Sequence, residues 1–171
     1  MEDFMFSAIS SLTAPFADRL AEKSRNNYFR DALVISREKT ELSPSETQFA
    51  IFNYMPSWVT ALMSLRNKLV TLFGFDVGKA NFKTEKTELD VGDKAGFLTV
   101  SEKHDDEIIN QAEDKHMEFF ISVKLTDTNI IVSTLVIKKT FLGKLYVNSV
   151  LPFHYFIARA VINNARKAGR I

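Results

Sequence analysis

The chain contains no cysteine, which removes disulfides, thiolate zinc sites and cysteine nucleophiles together. It has no excess of charge either: 22 basic and 21 acidic residues leave a net charge of +1. Nucleic-acid binders concentrate positive charge because phosphate neutralisation supplies most of their affinity. Here the local clustering is acidic, from Glu102 through Asp105, Asp106 and Glu107 to Glu113 and Asp114, so a nucleic-acid partner is not expected. The opening Met1-Glu2-Asp3 is acidic where a signal peptide needs positive charge, and no run reads as long as a membrane span. No integral membrane segment is therefore expected, and the default address is the cytoplasm. Internal repeats and low-complexity segments are missing. So are GxGxxG, GxxxxGK[ST] and GxSxG, and the Gly74–Gly78 pair is too sparse for a phosphate loop.

What is present is phenylalanine, 15 copies against one tryptophan. Phe buries a large apolar area and asks for no hydrogen-bond partner. The excess fits a greasy interior, either packed solid or enclosing a cavity. With 171 residues, 46% of them hydrophobic, the chain is long enough to bury a core without staples.

Along the N-terminus Met5, Ile9, Leu12, Phe16 and Leu20 recur at steps of three and four, which predicts helix interrupted at Pro15. Residues 1–27 read as a helical extension to a domain spanning 28–171. Leu33, Val34 and Ile35 predict a strand within Tyr28–Glu38. Ser43-Pro44-Ser45-Glu46 is a capping box with proline at the first helical position, so a helix begins there and runs to about Tyr54. A second helix, capped by Ser57, carries Trp58, Leu62, Leu65, Leu69 and Phe73 on one face, with Arg66 and Lys68 off it and Gly74 to end it. Asp76–Asp93 shows little period and reads as a long mobile loop. Four strands follow, Gly96–Lys103, Ile108–Glu113, Met117–Leu125 and Ile130–Lys139, joined by turns too short for anything but an antiparallel meander. The last element is a helix from about Gly143 to Lys167, apolar over a wide arc, expected to kink at Pro152 and basic at its end.

Several residues carry a more specific likeness: Trp58 with Leu65-Arg66, Gly92-Asp93 followed by Gly96-Phe97, Asp114-Lys115-His116 leading into Phe119, and Gly143 with Tyr146, Pro152 and His154. In this order, over about Tyr28 to Lys167, they resemble a bacterial single-domain family of unknown function related to the START-like, or SRPBCC, polyketide-cyclase superfamily. The resemblance implies an α+β helix-grip fold: a curved antiparallel sheet of four or five strands packed on the long C-terminal helix, with two helices inserted after the first strand. It also implies a cavity between sheet and helix. The wider superfamily binds lipids, sterols, polyketides or other apolar ligands, and some members are cyclases or dehydratases. The narrow family brings no activity, and no cyclase-like Asp/Glu/His set is recognisable here.

Among polar residues, His154 shares a stripe with Val147, Val150, Ile157 and Val161 and should face the sheet or cavity. It is a polar anchor or acid–base group on one reading, and a core histidine bonded to a strand on the other. Asp114 and His116 share an alternation opposite to Met117, Phe119 and Ile121, which places His116 toward solvent or a strand edge. They could pair there for catalysis or for structure. His104, among acidic turn residues, is only solvated. Three histidines without HxH or HxxxH spacing give no metal site, and no cofactor is expected.

The expected function is binding of a small hydrophobic or amphipathic molecule. Phe97, Phe119, Ile121, Leu135, Phe153 and Ile157 would form the walls, His154 the anchor and Asp76–Asp93 a lid. An enzyme of cyclase or dehydratase type on the same scaffold is the second reading. A structural protein with a filled core and a docking N-terminus is the third. The terminal helix could also be read as a membrane-surface element. A helix gripped by the sheet and covered by the N-terminal segment explains the same pattern and is preferred. A homo-oligomer stays open.

Overall fold

The computed structural model describes residues 7–13, 16–71 and 82–171. Among the described residues seven antiparallel strands, where four or five were expected, form one curved sheet. They are β1 (Ile9–Ser11), β2 (Tyr28–Ser36), β3 (Lys94–Ala95), β4 (Leu98–Lys103), β5 (Glu107–Glu113), β6 (Met117–Leu125) and β7 (Asn129–Lys138). Their spatial order is β1-β2-β7-β6-β5-β4-β3. Strands β4 to β7 are the expected meander, and β2 returns to pair with β7 along its whole length, from Tyr28 opposite Ile137 to Ser36 opposite Asn129. Three helices, α1 (Pro44–Phe52), α2 (Ser57–Thr71) and α3 (Phe141–Lys167), complete an α+β, helix-grip-like fold, with α1 and α2 following the first two strands.

The start of α1 is the predicted capping box. The Ser43 hydroxyl accepts the Glu46 N–H, and the Glu46 carboxylate accepts the Ser43 N–H. Two buried amides, Gln48 and Asn110, bond each other and fasten α1 to β5. At the other end of the chain, Thr140 caps α3 by accepting the Gly143 N–H. The helix then runs through Pro152, which forgoes one backbone donor.

Where it is described, the N-terminal stretch is not the expected helix. Ile9–Ser11 adds a strand beside β2, and among the described residues there only Arg19–Lys23 is helical, as a 3-10 turn capped by Asp18. The apolar spacing was compatible with both, because Leu20 and Ile9 serve different layers. Ile9 joins the core on the concave face, while Leu20 is buried on the convex face with Ile109, Phe120, Leu135 and Ile137. Ion pairs hold this segment down. Asp18 pairs with Arg30 and accepts from Ser133, and Arg19 bonds Asp106 at the surface and the fully buried Glu107.

The concave core joins Leu33, Ile35, Ile51, Val59, Leu98, Ile108, Val123 and Ile162, so sheet, α1, α2 and α3 share one interior. The loop expected to be mobile is fixed where it is described. Leu89 is buried in that core, its N–H donates to Ser45 Oγ, and Ser45 Oγ–H donates to the Thr87 carbonyl. Residues 76–81 of the expected lid lie outside the described residues, as do Met5, Pro15, Phe73, Gly74 and Gly78.

Candidate functional site

Antiparallel pleating sends alternate side chains of β2, β6 and β7 to the concave side. There Phe29, Phe119, Ile121, Val132, Thr134 and Val136 face α3 across an open space. The helix supplies Val147, Val150, His154, Ile157 and Val161 from its inward side, and α2 supplies Val59, Met63 and Arg66. The cavity, open on one side, measures about 560 Å3, within the roughly 300–1,000 Å3 common for small-molecule sites. Its lining is overwhelmingly apolar.

One wall is a row of phenylalanines contributed by four separate segments. Phe52 of α1 stacks on Phe82 at 5.4 Å, Phe82 meets Phe97 edge-on at 5.0 Å, and Phe97 stacks over Phe119 of β6 at 6.3 Å. Aromatic pairs at these separations gain from quadrupole alignment beyond their area.

Polar groups enter at two places on α3, Tyr146 and His154, eight residues or about 12 Å of helix rise apart. At the first, the Arg66 Nε–H donates to the Tyr146 hydroxyl, and the Arg66 guanidinium also lies over the Tyr146 ring at 5.2 Å. Burial pushes the Tyr146 phenol above its ordinary pKa, against the pull of Arg66, so it stays neutral at physiological pH. Glu113, Asp114 and Ser149 border the same end. At the second, His154 Nε2 lies 3.3 Å from the carboxylate of Asp31 on β2, and the His154 ring stands edge-on to Phe29 at 5.3 Å. Asp31 is buried, which makes the imidazole its charge partner whenever the ring is protonated.

Six of the seven sequence-predicted wall and anchor residues, Phe97, Phe119, Ile121, Phe153, His154 and Ile157, line this cavity. Leu135 does not. It points to the opposite face, fully buried against Leu20 and Phe120. Strand β7 is buried from Ile130 to Ile137 on both sides, so apolar character alone could not give its parity.

The Asp114–His116 side-chain pair is not formed. Asp114 Oδ1 accepts the backbone N–H groups of His116 and Met117, closing the β5–β6 turn, while His116 Nδ1 lies 2.9 Å from Thr140 Oγ1. His116 is buried, not solvated, because the first turn of α3 packs on it. Arg66, expected off the apolar face, lines the cavity. It follows Leu62 by four residues and so shares that side of α2. Asp31 was the signal overlooked: a carboxylate on the same alternation as Leu33 and Ile35. His104 sits beside Glu102, with Nε2 3.1 Å from its carboxylate. Among the described residues no group of three or more His, Asp or Glu is arranged to hold a metal ion.

Residues 24–161 match a protein family described as "Protein of unknown function (DUF2867)". The chain belongs to this family. No curated protein and no solved structure matches it significantly. The DUF2867 match runs from β2 through most of α3, so it takes in every cavity-lining residue but Ile162, with both polar positions and the row of phenylalanines.

Proposed function

We propose that this DUF2867 protein is a cytoplasmic carrier that holds a small apolar or amphipathic molecule between its sheet and α3. The observation that supports this reading is the apolar cavity of about 560 Å3 with polar groups at only a few places on its wall. A filled interior would have no use for a Phe52–Phe82–Phe97–Phe119 row facing open space. An amphipathic guest fits best, with its apolar body along that row and a polar end at Arg66 and Tyr146 or at His154. The helix-grip arrangement is also the ground for relating the chain to the START-like superfamily.

The pairing of His154 with Asp31 favours one further reading, in which the imidazole exchanges a proton with the guest in a cyclase- or dehydratase-type reaction. Replacing His154 by alanine separates the two. Loss of turnover with the guest retained means enzyme, and weakened retention without turnover means carrier.

The test of the carrier reading is native mass spectrometry of protein purified from its own host, with displacement of a fluorescent fatty-acid probe alongside. Wild type should carry a small-molecule adduct and bind the probe, and Ile157→Trp, which intrudes on the cavity, should weaken both while remaining folded. Wild type with no adduct and no probe binding would overturn the proposal.

A further inference from the structure

The outward surface of α2 and α3 also carries large apolar side chains. Of the twelve exposed large apolar side chains among the described residues, nine belong to these two helices. Trp58, Leu62 and Leu65 lie along one side of α2. On α3, Leu145, Phe153 and Phe156 lie on the side turned away from Val147 and Val161. The Trp58 and Phe156 rings meet at 5.6 Å, so the two helices present one continuous patch. Leu62, Leu65 and Phe153 are exposed and also line the cavity, which places its mouth within that patch. Of the described N-terminal residues, expected to cover α3, Leu20 packs on the far side of the sheet, Ile9 joins the concave core, and Ser11 meets α3 only by accepting from Arg159.

The charges of these helices follow the same division. Together α2 and α3 carry six basic residues and no Asp or Glu. Three of the six, Lys68, Lys144 and Lys167, are exposed, and the rest of the chain has 16 basic and 21 acidic residues, so the near-neutral total hides apolar, cation-bearing helices on an acidic body. Exposed apolar patches of this extent mark interaction sites. A second copy of this chain is a poor occupant, because a two-fold interface would set the same cations against each other. Aromatic and leucine side chains flanked by lysine and arginine match the boundary between headgroups and acyl chains of an anionic bilayer. By length and composition α3 could cross a membrane, but its inner side is committed to the sheet through Val147, Val161 and Ile162.

We infer that the α2–α3 face docks on the surface of a membrane containing anionic lipid, with the cavity mouth against the bilayer. The docking does not depend on what the cavity holds, so it is testable without a ligand.

Trp58 is the only tryptophan and sits inside the patch, so its fluorescence reports contact directly. The probes are vesicles of phosphatidylcholine with and without phosphatidylglycerol. With the anionic vesicles, Trp58 emission should shift to the blue, be quenched by brominated acyl chains and recover in high salt. Lys68→Glu with Lys144→Glu, both exposed positions, should weaken partitioning about tenfold or more. Phe141→Glu with Leu145→Glu should abolish it while circular dichroism stays native. The inference falls if well-folded wild type ignores anionic vesicles at low salt, or if charge reversal leaves binding unchanged. It also falls if Trp58 shifts on self-association alone, or if the bound protein resists alkaline carbonate as a spanning helix would.

Discussion

Gly143 sits directly over the carbonyl of His116: a Cβ built on the glycine would lie 2.3 Å from that oxygen. The contact brings the first turn of α3 onto the β5–β6 turn, and neither side can yield easily. The His116 carbonyl also accepts the Lys139 N–H, and the His116 ring meets the Thr140 cap. Gly143→Ala should therefore lower stability by about 1–3 kcal/mol, the usual range for overpacking. Urea unfolding measures the loss, and a variant as stable as wild type would show that the turn can move aside.

The His154–Asp31 pair should behave as a unit. Replacing His154 by leucine leaves a buried carboxylate without its partner, at a cost of about 1–3 kcal/mol. Adding Asp31→Asn should recover part of that loss. A double-mutant cycle from denaturant unfolding reads the coupling, and strictly additive effects would mean that the two side chains do not interact in solution.

Leu135 offers a contrast between the two faces of the sheet. Leu135→Ala should cost about 2–5 kcal/mol, as for other fully buried leucines, yet leave fatty-acid probe affinity unchanged. Phe119→Ala should change probe affinity because it enlarges the cavity. Fluorescence titration of both variants decides this, and a probe response to Leu135→Ala would mean the layers are not independent.

Acid should loosen the convex face through Glu102. The hydrogen bond from Lys23 Nζ, acting against burial, holds the Glu102 carboxyl below its ordinary pKa. A carboxyl depressed in the folded state stabilises above its unfolded pKa, and that contribution disappears as pH falls through the folded value. The Tm advantage of wild type over Glu102→Gln should thus be present at neutral pH and vanish below the ordinary carboxylate range. A gap independent of pH would refute the assignment.

Wherever one local rule dominated, the sequence was readable. The Ser43–Glu46 capping box placed α1, and clean alternation from Met117 to Leu125 gave both the span of β6 and its inward face. Alternation failed on β7, where an N-terminal cover makes both faces apolar, and Leu135 was consequently turned the wrong way. Ile9 and Leu20 mimicked one helical stripe while belonging to opposite layers, something only long-range packing decides. His154 was legible as an inward polar residue, but its partner Asp31 lies 123 positions away, and no local period connects them. Asp114 and His116 shared an alternation, yet backbone donors and Thr140 offered better partners than either offered the other.

Among the described residues the sheet ends on both sides in stubs: β1 spans three residues and β3 two. A neighbouring molecule seeking to extend the sheet by strand addition would find only three residues of edge in β1 and two in β3, and past β3 it would meet Glu102 and Lys103. Short, charged borders of this kind discourage fibre growth in a protein whose central strands, β6 and β7, are aliphatic enough to template it.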